Sequence, residues 1–209
     1  MSEQTSGEKE RGEGGDALEQ RRAVFEQALH AFRELEQPAG EAQVSMSLGR
    51  LEIEGQDWDA AIAHYERALD LYRQVEDLQG QGQALFALGV VHAFRGSAGE
   101  ALDAYELAIN LFAQLEDLRS QAQVLNNLGL LYAELGRQAE AAASYQAALE
   151  FLRHLGDEQG EGRALGNLGY VYALGGENDK ARVYWRRALR KLTPGSPEYL
   201  RVRAWLEGE

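Results

Sequence analysis

The chain contains no cysteine, so disulfides, thiolate nucleophiles and thiolate metal sites are excluded from its chemistry. Proline is scarce: Pro38, Pro194 and Pro197 are the only three, and none interrupts the long stretch between the first two. That stretch therefore tolerates a run of helices. There is no continuous apolar segment of membrane-spanning length. The opening "MSEQTSGEKERGEGG" has no apolar core, which sets it apart from a secretory signal, and a cytoplasmic protein is expected. Positive charge is also in short supply. The net charge is −13, the reverse of the cationic footprint that nucleic-acid binding requires.

What positive charge there is lies at one end. Eight of the 21 Lys and Arg residues fall between Lys180 and Arg203, where Glu198 is the only acid. The first twenty residues carry six acids and two bases.

Against these absences stands a strict internal repeat. Leu48-Gly49, Leu88-Gly89, Leu128-Gly129 and Leu168-Gly169 are spaced forty apart. Ala61, Ala101, Ala141 and Ala181 keep the same interval, as do Tyr65, Tyr105, Tyr145 and Trp185. Ala68, Ala108, Ala148 and Ala188 follow, and then Leu69, Ile109, Leu149 and Leu189. Asp77, Asp117 and Asp157 mark the joints.

Each unit reads as two helices, because apolar residues recur at three- and four-residue steps on both sides of a turn. The turn is expected at Gly55, Gly96, Gly136 and Gly176. Asp57, Ser97 and Asn178 are the expected N-caps of second helices. Pro38 and Pro197 sit where a helix would begin. A glycine inside a helix costs about 1 kcal/mol against alanine. At Gly49 and its equivalents that cost is explained if two helices approach closely, with Ala61 and Ala68 on the partner. The rings of the Tyr65 column are then expected to fill the space between neighbouring units. One hairpin cannot bury such a face alone, but a stack can.

No catalytic constellation is visible. No two of His30, His64, His92 and His154 are three to five residues apart, so no helical metal pair exists. His92 shares a column with Tyr132 and Tyr172 and reads as a packed ring. Serine is scarce and never in a nucleophile-elbow setting, and "GEGG" at 12–15 lacks the lysine and hydroxyl of a phosphate loop. The reading is a protein that is not an enzyme and uses neither cofactor nor metal.

The columns at Gly49, Ala61 and Ala68 and their equivalents resemble those of the tetratricopeptide repeat over four full units, roughly Pro38 to Pro197. The unit here is forty residues rather than thirty-four. The family's early tryptophan is replaced by Ser45, Leu85, Leu125 and Leu165, and its late proline is absent. With "LGNLG" and "GDEQGEGRA", the longer form is most similar to the repeats of Leu-Gly-Asn spindle-orientation adaptors and kinesin light chains.

The resemblance implies an all-α, right-handed superhelical solenoid of antiparallel helix pairs, with about ten helices. Residues 1–15 form a disordered acidic tail in this reading, and 16–209 a single array. Residues 16–37 are a half-repeat, 38–77, 78–117, 118–157 and 158–195 four full repeats, and 196–209 a capping helix. The function implied is a protein-binding adaptor or scaffold with a protein or peptide partner, without nucleic acid and without membrane insertion.

In the resembling family a second stripe on each first helix lines the concave surface. Here that stripe holds Gln43, Ser47, Arg50 and Glu54, then Gln83, Ala87, Val90 and Phe94 with Phe86 nearby. It continues with Gln123, Asn127, Leu130 and Glu134, and ends with Arg163, Asn167, Tyr170 and Leu174. Amides can hold a peptide backbone whatever its sequence, and Arg163 can pair with a carboxylate. Asn127 and Asn167 match the "LGNLG" asparagine, whereas Ser47 and Ala87 depart from it. A second candidate is the basic set Arg182, Arg186, Arg187 and Arg190, as a surface for an acidic partner or, in the alternative function of a self-assembling structural module, for head-to-tail contact with the acidic N-terminal end of another copy in a homo-oligomer.

Overall fold

Leucine, alanine and glutamate fill the segments between the turns, and all three favour helix. In the computed structural model, which describes residues 4–208 with side chains from Ala17 onward, every described element is a helix. There are ten: α1 Gln4–Glu34, α2 Pro38–Glu54, α3 Trp58–Gln74, α4 Leu78–Phe94 and α5 Ala98–Gln114, followed by α6 Leu118–Glu134, α7 Gln138–His154, α8 Glu158–Leu174, α9 Asn178–Leu189 and α10 Pro197–Glu207. Helical backbone thus begins at Gln4, where the sequence suggests a disordered tail. Residues 1–3 lie outside the described residues. The four glycines at 7, 12, 14 and 15 weaken helix propensity, which is why that stretch does not read as helix.

From α2 to α8 each helix has 17 residues. Seventeen residues and a three-residue joint repeated twice make the forty-residue period. Each joint is a Schellman-type closure. The N–H of Asp57 donates to Glu52 O at 2.9 Å, Asp77 N–H to Tyr72 O, Asp117 N–H to Phe112 O and Asp157 N–H to Leu152 O. The same four aspartates then cap the next helix. Their carboxylates accept from the N–H of Ala60, Gly80, Ser120 and Gly160 at 2.8–3.0 Å. One residue therefore closes one helix and opens the next.

The middle residue of each joint is left-handed. Glycine occupies it at Gly96, Gly136, Gly156 and Gly176, with φ between 66° and 80°. Glu36, Gln56, Glu76 and Glu116 occupy it elsewhere, with φ between 50° and 61°. In the joint between α2 and α3 the expected glycine, Gly55, is right-handed at φ −77°, and Gln56 makes the turn. Asn178 is also displaced from its expected place. It is the first helical residue of α9, and Glu177 is the N-cap without a side-chain bond, because the joint is the same length as the others and ends one residue earlier. Pro38 and Pro197 do start α2 and α10.

The chain divides into two compact units, residues 1–104 and 105–209. In the first, α1 rests on α2 through Leu29, Val44 and Leu48, flanked by Phe25, Ala28 and Phe32. The polar clamps Arg21–Glu54 and Arg22–Glu52, each 2.5 Å, hold the same pair of helices. In the second, a core runs from Ala122 and Tyr145 through Leu165 and Leu168 to Trp185, Leu192 and Val202. The alanine columns are completely buried at Ala61, Ala68, Ala141, Ala148, Ala181 and Ala188.

The ring column packs differently from the sequence expectation. A Cβ at Gly49 would fall 2.6 Å from the Tyr65 ring, at Gly129 2.7 Å from Tyr145 and at Gly169 2.6 Å from Trp185. Each ring lies on the glycine of its own hairpin rather than only between units. A second small-residue column, which the sequence reading missed, works between hairpins. Gly40 lies under Phe32, Gly80 under Tyr72 and Gly160 under Leu152, each on the preceding helix.

Candidate protein-interaction surface

On each first helix two stripes diverge. Ser45, Leu48, Gly49 and Glu52 are buried, as are Leu165, Leu168 and Gly169 in α8. The stripe one step round the helix faces outward, and its chemistry changes from helix to helix.

In the first unit, α2 satisfies much of its own stripe. Ser47 Oγ donates to Gln43 O at 3.0 Å, Arg50 donates to Ser47 Oγ at 3.1 Å, and Glu54 receives Arg21. Gln43 and Arg50 are exposed. The α4 stripe is less polar. Gln83 is exposed, Phe86 and Val90 are half-buried, and Phe94 is 71% exposed. The Phe94 ring stacks on Trp58, centroids 5.9 Å apart and 10° from parallel. Arg95 and Asp59, 2.6 Å apart, link the same start of α3 and end of α4.

In the second unit, Gln123 and Leu130 of α6 are exposed, and Asn127 Nδ2 donates to Gln123 O at 3.0 Å. That bond uses one amide hydrogen and leaves Oδ1 and the second N–H for a ligand. On α8, Arg163 is exposed and Asn167 half-buried. Tyr170 lies against Trp205 of α10, with centroids 5.1 Å apart. Trp205 thus borders this stripe, which the sequence did not reveal. Its offset from Tyr170 is thirty-five residues, outside the forty-residue register. The closeness of α10 depends on Gly166, where a Cβ would fall 2.7 Å from Val202. Trp185 Nε1 also donates to Gly166 O at 3.1 Å.

This arrangement of paired helices with a buried small-residue stripe and a variable outer stripe matches a known family model. The tetratricopeptide repeat model aligns in three overlapping passes, over residues 40–114, 81–154 and 120–193. The chain belongs to the tetratricopeptide repeat family.

Solved structures agree on the fold. BtubC (BKLC) from P. vanneervenii superposes with a TM-score of 0.80 at 23% identity, over 92% of this chain and 82% of that one. The apo form of RapI gives 0.76 at 18%, over 83% and 64%. MamA gives 0.61 at 22%, over 82% and 91%. No curated protein matches this chain in sequence. Tetratricopeptide repeats are in general a non-catalytic fold for protein interaction, and no described helix of this repeat protein is long and apolar enough to cross a membrane.

Burial shifts several of the repeat protein's titratable groups. Burial lifts the Tyr65 hydroxyl to about 12, and lifts those of Tyr105 and Tyr145 as well. Burial likewise lowers His64, against the opposing charge of Glu52. His92 is half-buried on the side of α4. Among the described residues no three His, Asp or Glu side chains gather as metal ligands would.

At the basic end most cations are engaged. Lys180 pairs with Glu177, Lys191 lies 2.9 Å from Glu158, and Arg203 lies 3.1 Å from Glu207. Arg187 sits over the Tyr184 ring and Arg201 over Trp205, each 5.3 Å from the centroid. Arg182, Arg186 and Arg190 are exposed and have no carboxylate partner among the described residues.

Proposed function

We propose that this repeat protein is a non-catalytic adaptor, and that the outer stripe of its first helices receives an extended segment of a protein partner. The observation that carries this reading is the contrast between stripes. The packing stripe repeats from unit to unit, while the outward stripe stays accessible and varies. Stacking alone places no demand on the outward stripe, so its variation suits recognition.

The roles divide by chemistry. Gln43, Gln83, Gln123, Asn127 and Asn167 position a peptide backbone, since an amide both donates and accepts. Phe86, Val90, Phe94, Leu130 and Tyr170 receive apolar side chains, and exposed aromatic rings supply much of the binding energy in such contacts. Arg50 and Arg163 pair with carboxylates. A surface already formed in the free protein limits the ordering cost to the peptide. In this reading the protein works in the cytoplasm, without a cofactor.

The test is capture of partners from extract of the protein's own cells. Gln123→Ala combined with Asn167→Ala is expected to abolish capture while helicity and melting temperature hold, because neither side chain is in the core. Capture that survives this change but fails on charge reversal of Arg186 and Arg187 would transfer the site to the end of the array.

A further inference from the structure

Arg182 and Arg186 of α9 and Arg190, its C-cap in helical backbone conformation, follow one another at four-residue steps, so they form a line on one side of the helix spanning about 12 Å. All three are exposed, and none has a carboxylate within reach among the described residues. Their neighbours on α9 and in the turn after it are spoken for: Lys180 by Glu177, Arg187 by Tyr184 and Lys191 by Glu158 and Glu161.

The same three positions on the other second helices have another character. They are Ile62, Glu66 and Asp70 on α3, Leu102, Glu106 and Asn110 on α5, and Ala142, Gln146 and Glu150 on α7. The first of each set is apolar and half-buried, and the other two are acids or amides facing water. Only on α9 does the line become cationic along its whole length.

A helix at the end of a stack needs a polar outer face, which accounts for the loss of the apolar residue at Arg182 but not for a cation at all three positions. Like charges one turn apart destabilise a helix. The helix dipole favours cations in the last turn, which covers Arg186 and Arg190 at the end of α9 but not Arg182, two turns earlier. On a chain of net charge −13 the line is a local reversal of sign. At physiological ionic strength a ligand within about 8 Å senses this line rather than the charge of the whole molecule.

We infer that the Arg182–Arg186–Arg190 line of α9 is a docking surface for an acidic protein segment, one that presents carboxylates at one-turn spacing along a helix. Each guanidinium offers a planar fork to a carboxylate, and the common spacing lets three pairs form together. This surface lies on a second helix, apart from the first-helix stripe, and its test uses a defined peptide rather than capture from extract.

The probe is a fluorescent helical peptide with three glutamates at four-residue intervals, titrated by anisotropy against the full chain. Binding is expected at about 0.05 M salt and its loss at about 0.5 M. The same peptide with glutamine in place of glutamate is expected not to bind. Arg182→Gln, Arg186→Gln and Arg190→Gln together are expected to weaken binding about tenfold or more, with helicity unchanged. Absence of binding at low salt, equal binding of the glutamine peptide, or an unaffected triple variant overturns the proposal. Tighter binding of single-stranded DNA of equal charge also overturns it, by making the surface one for nucleic acid.

Discussion

At the residue scale the determining quantity is the volume at Cβ. Two helical glycines in opposite surroundings show it. At Gly129 an added methyl would lie 2.7 Å from the Tyr145 ring, which is itself buried and has no room to retreat. At Gly99, near the start of α5, it would meet nothing within 4 Å. Gly129→Val is therefore expected to destabilise the protein by about 2 kcal/mol, in the range typical of overpacking. Gly99→Ala is expected to stabilise it by about 0.5 kcal/mol through helix propensity and a less flexible unfolded chain. Thermal and urea melts followed by circular dichroism check both. Equal stability of the two variants would remove close helix approach as the reason for the Leu-Gly column.

At the element scale the joints set the period. A joint closes one helix and crosses one left-handed residue, and at Asp57, Asp77, Asp117 and Asp157 the carboxylate that follows caps the next helix. Glycine adopts the left-handed region without strain, whereas a side chain there costs about 1 kcal/mol. Glu116→Gly should accordingly stabilise the protein by a few tenths to about 1 kcal/mol, and Gly136→Ala should destabilise it by about as much. The two changes alter the same position of equivalent joints, so a common sign in denaturant melts would contradict this account. The sequence pattern placed the joints but misread one of them. Gly55 drew attention because it is glycine, yet Gln56 carries the positive φ of 61°. Position within the twenty-residue element determines the conformation, and residue type only adjusts its cost.

At the scale of the whole molecule the array ends behave differently from its middle. Interior helices are joined by apolar columns with single charge pairs such as Arg95–Asp59 and Arg153–Glu161, whereas α1 makes three charge pairs to α2. Arg21 and Arg22 grip Glu54 and Glu52, and Arg33 and Arg67 converge on the buried Glu41 at 2.9 and 3.0 Å. The hydrogen bond from Arg21 lowers the Glu54 pKa. Burial alone would raise that of Glu41, but the hydrogen bonds from Arg33 and Arg67 outweigh it. A carboxylate with a depressed pKa in the folded state contributes stability above its unfolded value, near 4.3. The contribution disappears as pH falls through the lower, folded value. Acidification below about pH 4 is thus expected to loosen α1 first. Hydrogen exchange in residues 17–34 should rise before exchange in α8 does. Simultaneous loss of protection in both segments would mean that charge does not anchor this end.

The forty-residue period, the helical class, the buried alanine columns and the family all follow from the sequence, because each depends on local spacing repeated many times. The outward stripe was legible as a set of positions for the same reason. Tertiary structure alone decided that Trp205 borders Tyr170, that Trp58 lies under Phe94 and that Arg182, Arg186 and Arg190 lack partners where Lys180 and Lys191 have them. Apart from the local Lys180–Glu177 pair, those relations turn on residues outside the repeat register, where helical periodicity carries no information and only the packed chain brings side chains together.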